Sequence, residues 1–269
     1  NFSKALKPGT TTVLGGDPGA SKSLLLVQCL RYWIGQGVKC AAYMLEDDRK
    51  VHEMRALAQL TGESGMTDED WIEANPHQAL EYHDTFRTNI DHLGKVIWDA
   101  PDRQITYPDM TRWVEDRLKA GCRIVCIDPV TALAEEDERR PWNEHLRFIL
   151  ETRTMLRKYG ASLVCVTHPR TGGQSKGKGV DDLAGGRAWG RFVQTVLWLS
   201  THPKGIGVTV YRKGLENGAE TECNRKISIW KARNGKGTGT DIAYWFEKKG
   251  LFFEERGTII SENKEKKRK

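Results

Sequence analysis

The sequence has six cysteines, at positions 29, 40, 122, 126, 165 and 223, but no Cys-x-x-Cys pair among them. That spacing gives no structural zinc site, and cysteines set in apolar runs behave as small hydrophobes. The expected setting is a reducing, intracellular one, the cytoplasm. No apolar run approaches the ~18 residues of a membrane span, so no membrane is expected as a partner. A signal peptide and internal repeats are also lacking. The chain begins with Asn1 rather than Met and is read as a piece of a longer protein with a further domain upstream. A strong charge of one sign is missing too. The formal net charge is +6, and part of it sits in the terminal run Lys-Glu-Lys-Lys-Arg-Lys. Such an excess suits a polyanionic partner without requiring one. Residues 257–269 are therefore read as a basic, disordered tail, and 1–256 as one α/β domain long enough to bury a sizeable core.

What the sequence does have is a glycine-rich stretch in a telling context. Gly15-Gly16-Asp17-Pro18-Gly19-Ala20-Ser21-Lys22-Ser23 follows a short β-type run at 10–14 and leads into Leu24-Leu25-Leu26-Val27. Strand, glycine-rich turn, Lys-Ser and helix make the phosphate-cradling P-loop, in which backbone N–H groups and the helix N-terminus face nucleotide phosphates. Residues 16–23 are the expected nucleotide-binding segment. Lys22 is expected on the β- and γ-phosphates and the Ser23 hydroxyl on Mg²⁺. One position departs from the pattern, since Ser21 stands where the second glycine of Gly-x-x-x-x-Gly-Lys-Ser/Thr belongs.

Further along, short apolar runs at 38–45, 95–99, 123–127 and 163–166 alternate with segments of helical periodicity, notably 51–60, 108–119 and 141–158. This alternation predicts a mainly parallel sheet covered by helices on both faces. The acidic, aromatic stretch 63–93 predicts only short helices around 68–74 and 78–86. The last third predicts strands at 193–199, 206–212, 226–231, 241–246 and 251–254, an antiparallel extension of the parallel core.

Ligands of an open α/β sheet sit beyond the carboxyl ends of its strands. Asp128 closes Ile124-Val125-Cys126-Ile127 and is expected to hold Mg²⁺ through water, with a turn aspartate before Pro129 as the plain alternative. Glu46 ends the second strand, where a carboxylate polarises an attacking water, with Asp47 and Asp48 as rivals. His168 ends a third strand and is a candidate to sense the γ-phosphate, Thr167 standing beside it.

Taken in order, Gly16 to Ser23, Tyr43-Met44-Leu45-Glu46, Ile124 to Pro129 and Val166-Thr167-His168-Pro169-Arg170 resemble the successive motifs of RecA-like hexameric helicase ATPases of the DnaB and plasmid RepA types. A fifth piece, Lys231-Ala232-Arg233-Asn234-Gly235-Lys236-Gly237, resembles the Lys-x-Arg segment those helicases place at the subunit boundary. The resemblance implies a RecA-like P-loop NTPase that hydrolyses ATP with Mg²⁺ between subunits of a homo-oligomeric, hexameric ring. It implies Glu46 as catalytic base, and His168 where many relatives carry Gln. It implies Arg233 as a finger on the neighbour's ATP, with Lys231 beside it. A basic hairpin turn is the plain reading of 231–236. The resemblance also implies translocation on single-stranded DNA in plasmid, phage or bacterial replication, with a primase or polymerase as domain or partner. A RecA- or KaiC-like ATPase without unwinding, and a catalytically weak nucleotide-gated DNA-binding module, stay open beside it.

The stretch 169–180 is basic and glycine-rich, without aromatic residues. Arg170, Lys176 and Lys178 are expected to neutralise phosphates of a single strand, sequence-tolerantly and without base stacking. By the same resemblance Arg187 is a further DNA candidate, while Trp189 is read as packing.

Overall fold

The computed structural model describes residues 5–135, 141–169, 179–180, 183–184, 187–212 and 218–262, with backbone only at 141, 142 and 187. Strand β1 (Thr10–Gly16) is buried along its whole length. Two parallel neighbours flank it, β5 (Ser162–Val166) and the first part of β6 (Thr195–Tyr211). With β2 (Cys40–Met44), β3 (Ile97–Asp99), β4 (Ile124–Asp128), β7 (Ala219–Ala232), β8 (Asp241–Glu247) and β9 (Phe252–Glu262) they form a nine-stranded sheet. Its order is β3-β2-β4-β5-β1-β6-β7-β8-β9, parallel through β6 and antiparallel from β6 onward.

Side chains alternate across β1, so its neighbours Val13 and Leu14 enter different cores. Val13 packs in a cluster with Met110 and Val114 of α5 (Tyr107–Lys119), Phe148 of α6 (Pro141–Tyr159) and Trp189 of α7 (Arg187–Phe192). Leu14 packs with Leu26 and Leu30 of α1 (Lys22–Gly35), Leu57 of α2 (Arg49–Thr61) and Leu93 of α4 (Pro76–Gly94). The sheet is thus covered on both faces, as the short, continuously apolar strands predict. Among the described residues no helix is long and apolar enough to cross a membrane.

The structure differs from the sequence reading in three places. The stretch 63–93 is more ordered than its acidity suggests. It holds a 3₁₀ turn (Ser64–Thr67), a short α3 (Glu69–Ala74) and the 19-residue α4, anchored through Met66, Ala79, Ile90 and Leu93. The strands read at 193–199 and 206–212 are one strand, β6, whose ladder with β7 shifts register between Thr201 and Ile206. His202-Pro203-Lys204-Gly205 bends the ladder there, with Gly205 at φ 72, without ending it. The tail boundary at 257 is also corrected. Strand β9 runs to Glu262, because 258–262 pair with the far half of β6 while 252–258 pair with β8. Residues 263–269 lie outside the described residues.

Strand β9 is also tied to the helix that follows the glycine-rich turn. Gln28 of α1 donates Nε2 to Phe253 O at 2.8 Å and accepts from Phe253 N at 2.7 Å, taking the place of a neighbouring strand. Gln28→Ala leaves both backbone groups unpaired and should cost about 2 kcal/mol of stability, read as a lowered urea midpoint at unchanged slope.

Candidate active site

The glycine-rich turn leaves β1 at Gly16, and that position admits no side chain. A Cβ there would lie 2.6 Å from Leu199 O. The turn is closed by Asp17 N donating to Leu199 O (2.9 Å) and Ala20 N donating to Asp17 O (3.1 Å). The Asp17 carboxylate fixes it to β6, accepting from Trp198 Nε1 at 3.1 Å and from Thr201 N at 3.0 Å. Gly19 has φ 68, and Ser21 has φ 70 and ψ 38, so the serine adopts the left-handed conformation that glycine takes freely. Lys22 follows as the first residue of α1, 8% exposed, with Nζ 3.4 Å from both Gly16 O and Asp17 O. Burial holds its pKa below the usual lysine value, while Asp128, Glu46 and Asp17 pull the other way.

Parallel register carries the other predicted residues to the same end of the sheet. Leu14 stands beside Val166, Ile127 beside Cys165, and Met44 beside Asp128. The strands therefore end together, with Thr167 N on Leu14 O (3.0 Å) and Leu45 N on Asp128 O (2.7 Å) as the last rungs. Beyond them His168 Nε2 lies 2.9 Å from Glu46 Oε1, both side chains partly open to solvent. The rivals drop away. Asp47 pairs with Arg55 at 2.6 Å, Asp48 precedes α2 as its N-cap residue, and Thr167 is buried with its hydroxyl near the His168 and Ala184 carbonyls.

Asp128 is 4% exposed. Burial pushes its carboxyl up to about 6, against the lowering effect of a hydrogen bond with Ser23. Its Oδ2 is buried without a hydrogen-bond partner among the described residues. An unpaired carboxylate oxygen beside a serine hydroxyl and a lysine is the oxygen donor set that suits Mg²⁺, so the residues present fit that ion.

Lys231 and Arg233 are not part of this group. Lys231 Nζ donates to the Gly190 and Arg191 carbonyls, and Arg233 Nη2 to Arg191 O at 2.6 Å, all at the C-terminal end of α7. The Arg233 N–H bonds Gln194 O, whose own N–H bonds Thr11 O, near the start of β1. The glycine-rich turn leaves the other end of that strand, roughly 15 Å along it. Burial, with Arg233 adding to it, lowers Lys231 to about 8. Arg170, Lys176 and Lys178 lie outside the described residues, and Arg187 opens α7 with its side chain undescribed. Both flanks of 170–182 meet at His168: Pro169 bridges to Leu183, and Ala184 N bonds His168 O at 3.0 Å. Trp189 is 1% exposed and packs near Phe148, as read.

The sequence reading missed the Asp17 carboxylate bridge and Arg225. Arg225, on β7, sends Nε to Ala20 O in the glycine-rich turn at 3.3 Å.

A family model described as an AAA domain matches residues 2–174. The chain belongs to that family. No curated protein sequence matches this AAA domain. Among solved structures it resembles a phage-type chain described as an ATPase domain, at TM-score 0.68 and 15% identity over 92% of this chain and 84% of that one. A DnaB-like replicative helicase, described with its interactions with primase, gives TM-score 0.67 and 16% identity over 92% of this chain. Only 57% of that longer chain is matched. The RadB recombinase gives TM-score 0.56 and 14% identity over 91% of this chain and 90% of that one. The AAA domain therefore has the RecA-like ATPase fold, with the antiparallel strands appended to the parallel core.

The buried charge of Asp128 has a measurable cost. Its folded pKa lies above the ordinary carboxylate value of 3.8, so this group's contribution falls as pH rises from about 4 to about 6 and stays low above that. Asp128→Asn should stabilise the ligand-free protein by about 1–3 kcal/mol at pH 8, with the gain shrinking below pH 6, while weakening Mg²⁺-dependent nucleotide binding. Denaturation at the two pH values with and without Mg²⁺ checks both halves.

Proposed function

We propose that this AAA domain is an ATP-hydrolysing motor that works as a ring, completes each active site between two subunits, and moves on single-stranded DNA to unwind duplex. The observation that carries the reading is a division within one chain. Lys22, Ser23, Asp128, Glu46 and His168 converge at one end of the sheet, whereas Lys231 and Arg233 sit near the other. A site that needs all of them is completed by a second copy. Likeness to the solved ATPase domain and to the DnaB-like helicase supports the motor class, and the printed interaction of the latter with primase makes a primase or polymerase the proposed partner. A hexameric ring at work in the cytoplasm belongs to the same proposal.

The chemistry is hydrolysis of the β–γ phosphoanhydride. The turn's N–H groups bind the phosphates and Lys22 reaches the β- and γ-oxygens. Ser23 directly, and Asp128 through water, would hold Mg²⁺, which supplies charge neutralisation on those oxygens. Glu46 accepts a proton from the water that attacks the γ-phosphorus, the bond to the bridging oxygen breaks, and ADP and phosphate leave. His168, which faces Glu46 in the ligand-free chain, turns to hydrogen-bond the γ-phosphate. Because both flanks of 170–182 are fixed beside it, that turn is felt by Arg170, Lys176 and Lys178, the proposed phosphate contacts on DNA, with Arg187 following. Arg233 of a neighbouring subunit, with Lys231 beside it, places donors on the transferring phosphoryl group.

Glu46→Gln should keep nucleotide affinity within about threefold and lower kcat by at least about a hundredfold, and Lys22→Ala should abolish hydrolysis. Neither single variant should be active alone, but Arg233→Ala mixed with Lys22→Ala should regain ATPase activity, since mixed rings contain intact composite sites. No regain, with a monomer in solution, removes the shared site. Parental hydrolysis without strand displacement on a forked duplex leaves a RecA-type ATPase that does not unwind.

A further inference from the structure

The phosphate-binding turn of this chain contains a residue that does not suit its backbone, and the structure supplies a support for it from far along the sequence. Ser21 stands at φ 70, and its side chain makes no capping hydrogen bond. A residue with a Cβ resists this left-handed conformation. The peptide that enters it is held from outside. Ala20 is fully buried, and its carbonyl accepts from Arg225 Nε at 3.3 Å across 205 residues of sequence.

The guanidinium is itself fixed on several sides. Arg225 Nη1 donates to Asn224 O at 2.9 Å, its Cζ lies 5.0 Å from the centre of the Phe246 ring, and the residue is 8% exposed. Asn224 locks that ring's backbone in turn, donating to Phe246 O at 3.0 Å and accepting from Phe246 N at 2.6 Å. Arg225 lies between Thr201 and Tyr244 in the sheet. Thr201 N also holds the Asp17 carboxylate. The two outward-facing groups of the turn, the Asp17 side chain and the Ala20 carbonyl, are thus both anchored on the antiparallel extension.

We infer that Arg225 is a positioning residue for nucleotide binding, which holds the Ala20–Ser21 peptide so that the Ser21 N–H faces the phosphates despite the missing glycine. The warrant is the planarity of a trans peptide. Its C=O and N–H point in opposite directions, so fixing Ala20 O on Arg225 turns the Ser21 N–H away from β7. A charged donor on a buried carbonyl makes a stronger hold than a neutral one. Arginine suits the task, because its planar fork serves Ala20 O and Asn224 O together while its face rests on Phe246. The inference rests on the nucleotide-binding reading of the turn, and on no assumption about hydrolysis or unwinding.

The test is a two-by-two set: the parental protein, Arg225→Met, Ser21→Gly and the double variant. Affinity for a fluorescent ADP analogue is measured with Mg²⁺, alongside thermal denaturation without ligand. Arg225→Met should weaken binding about tenfold or more. In the Ser21→Gly background the same change should weaken it by no more than about threefold, because glycine needs no support at that φ. In ATP turnover the loss should appear in KM, with kcat within about threefold. An equal loss in both backgrounds, or a folded Arg225→Met that binds as tightly as the parent, overturns the inference. If Arg225→Met does not fold, Arg225→Lys takes its place, since an ammonium keeps the charge near Phe246 but has no Nε fixed toward Ala20. A parental protein that binds no nucleotide overturns the underlying reading and the inference with it, whereas binding without hydrolysis overturns only the motor proposal.

Discussion

The candidate site exists because four parallel strands end in step. Leu14 beside Val166, Ile127 beside Cys165 and Met44 beside Asp128 fix the ladder, and the polar residues that follow each strand have no choice but to meet. A one-residue slip in any pair would turn its side chains to the opposite face. Register is held because both faces are buried. Val13 and Leu14 each fill a different core, and the same alternation along β4 sets Ile127 in one core and Cys126 in the other. The position of Asp128, and through Leu45 N on its carbonyl the position of Glu46, follows from hydrophobic packing on two sides rather than from any contact between the functional groups.

That frame sets groups in the site where their ligand-free state is unfavourable. Asp128 is buried, raised in pKa and short of a partner for one oxygen, and Lys22 is buried with only long contacts to two carbonyls. Their mutual attraction offsets part of the desolvation and leaves the rest. A site preorganised for phosphate and a divalent cation has this character, since donors that satisfied one another fully would have to be separated before they could bind anything. Glu46 and His168 behave differently. They are partly exposed and face each other at 2.9 Å, a contact that water replaces at little cost.

The sequence made the parallel half of the molecule legible because its determinants are local. Short apolar runs closing on Asp128, Glu46 and His168, and a glycine-rich turn between a strand and a helix, are written within a few consecutive residues. The rest depends on distant partners. Asp17 reads as one more turn residue until Trp198, 181 residues on, is seen to donate to it, and Arg225 reads as a strand cation until its bond to Ala20 is seen. The end of β9 is half exposed and interspersed with charge, so that only its pairing with the far half of β6 identifies it as strand. Helix α4 hides for a related reason. Three of its nineteen residues are buried, too few to impose a clear period.

The antiparallel extension is therefore more than a cover for the edge of the core. Strand β7 carries Arg225, bonded to the chain's own phosphate turn, and some eight residues further on it leads into Arg233, near the opposite end of the sheet. A second connection runs between the same two places. Asp17 accepts from the Trp198 indole, that indole stacks on Trp230 at 4.4 Å and 11°, and Lys231 is the next residue. The stack sits where the β6–β7 ladder shifts register, so Trp230 leaves the regular ladder but remains fixed by its ring. Lys231 and Arg233 hold the last carbonyls of α7, contacts between partly exposed groups that can be exchanged for other acceptors. What a subunit contributes to its own phosphate turn and what it presents at the far end of the sheet are thus mounted on one strand, with two fixed contacts at the turn and an exchangeable one at the far end. A rigid mount with one exchangeable end is the mechanical condition under which the two places can respond to each other without the core between them being repacked.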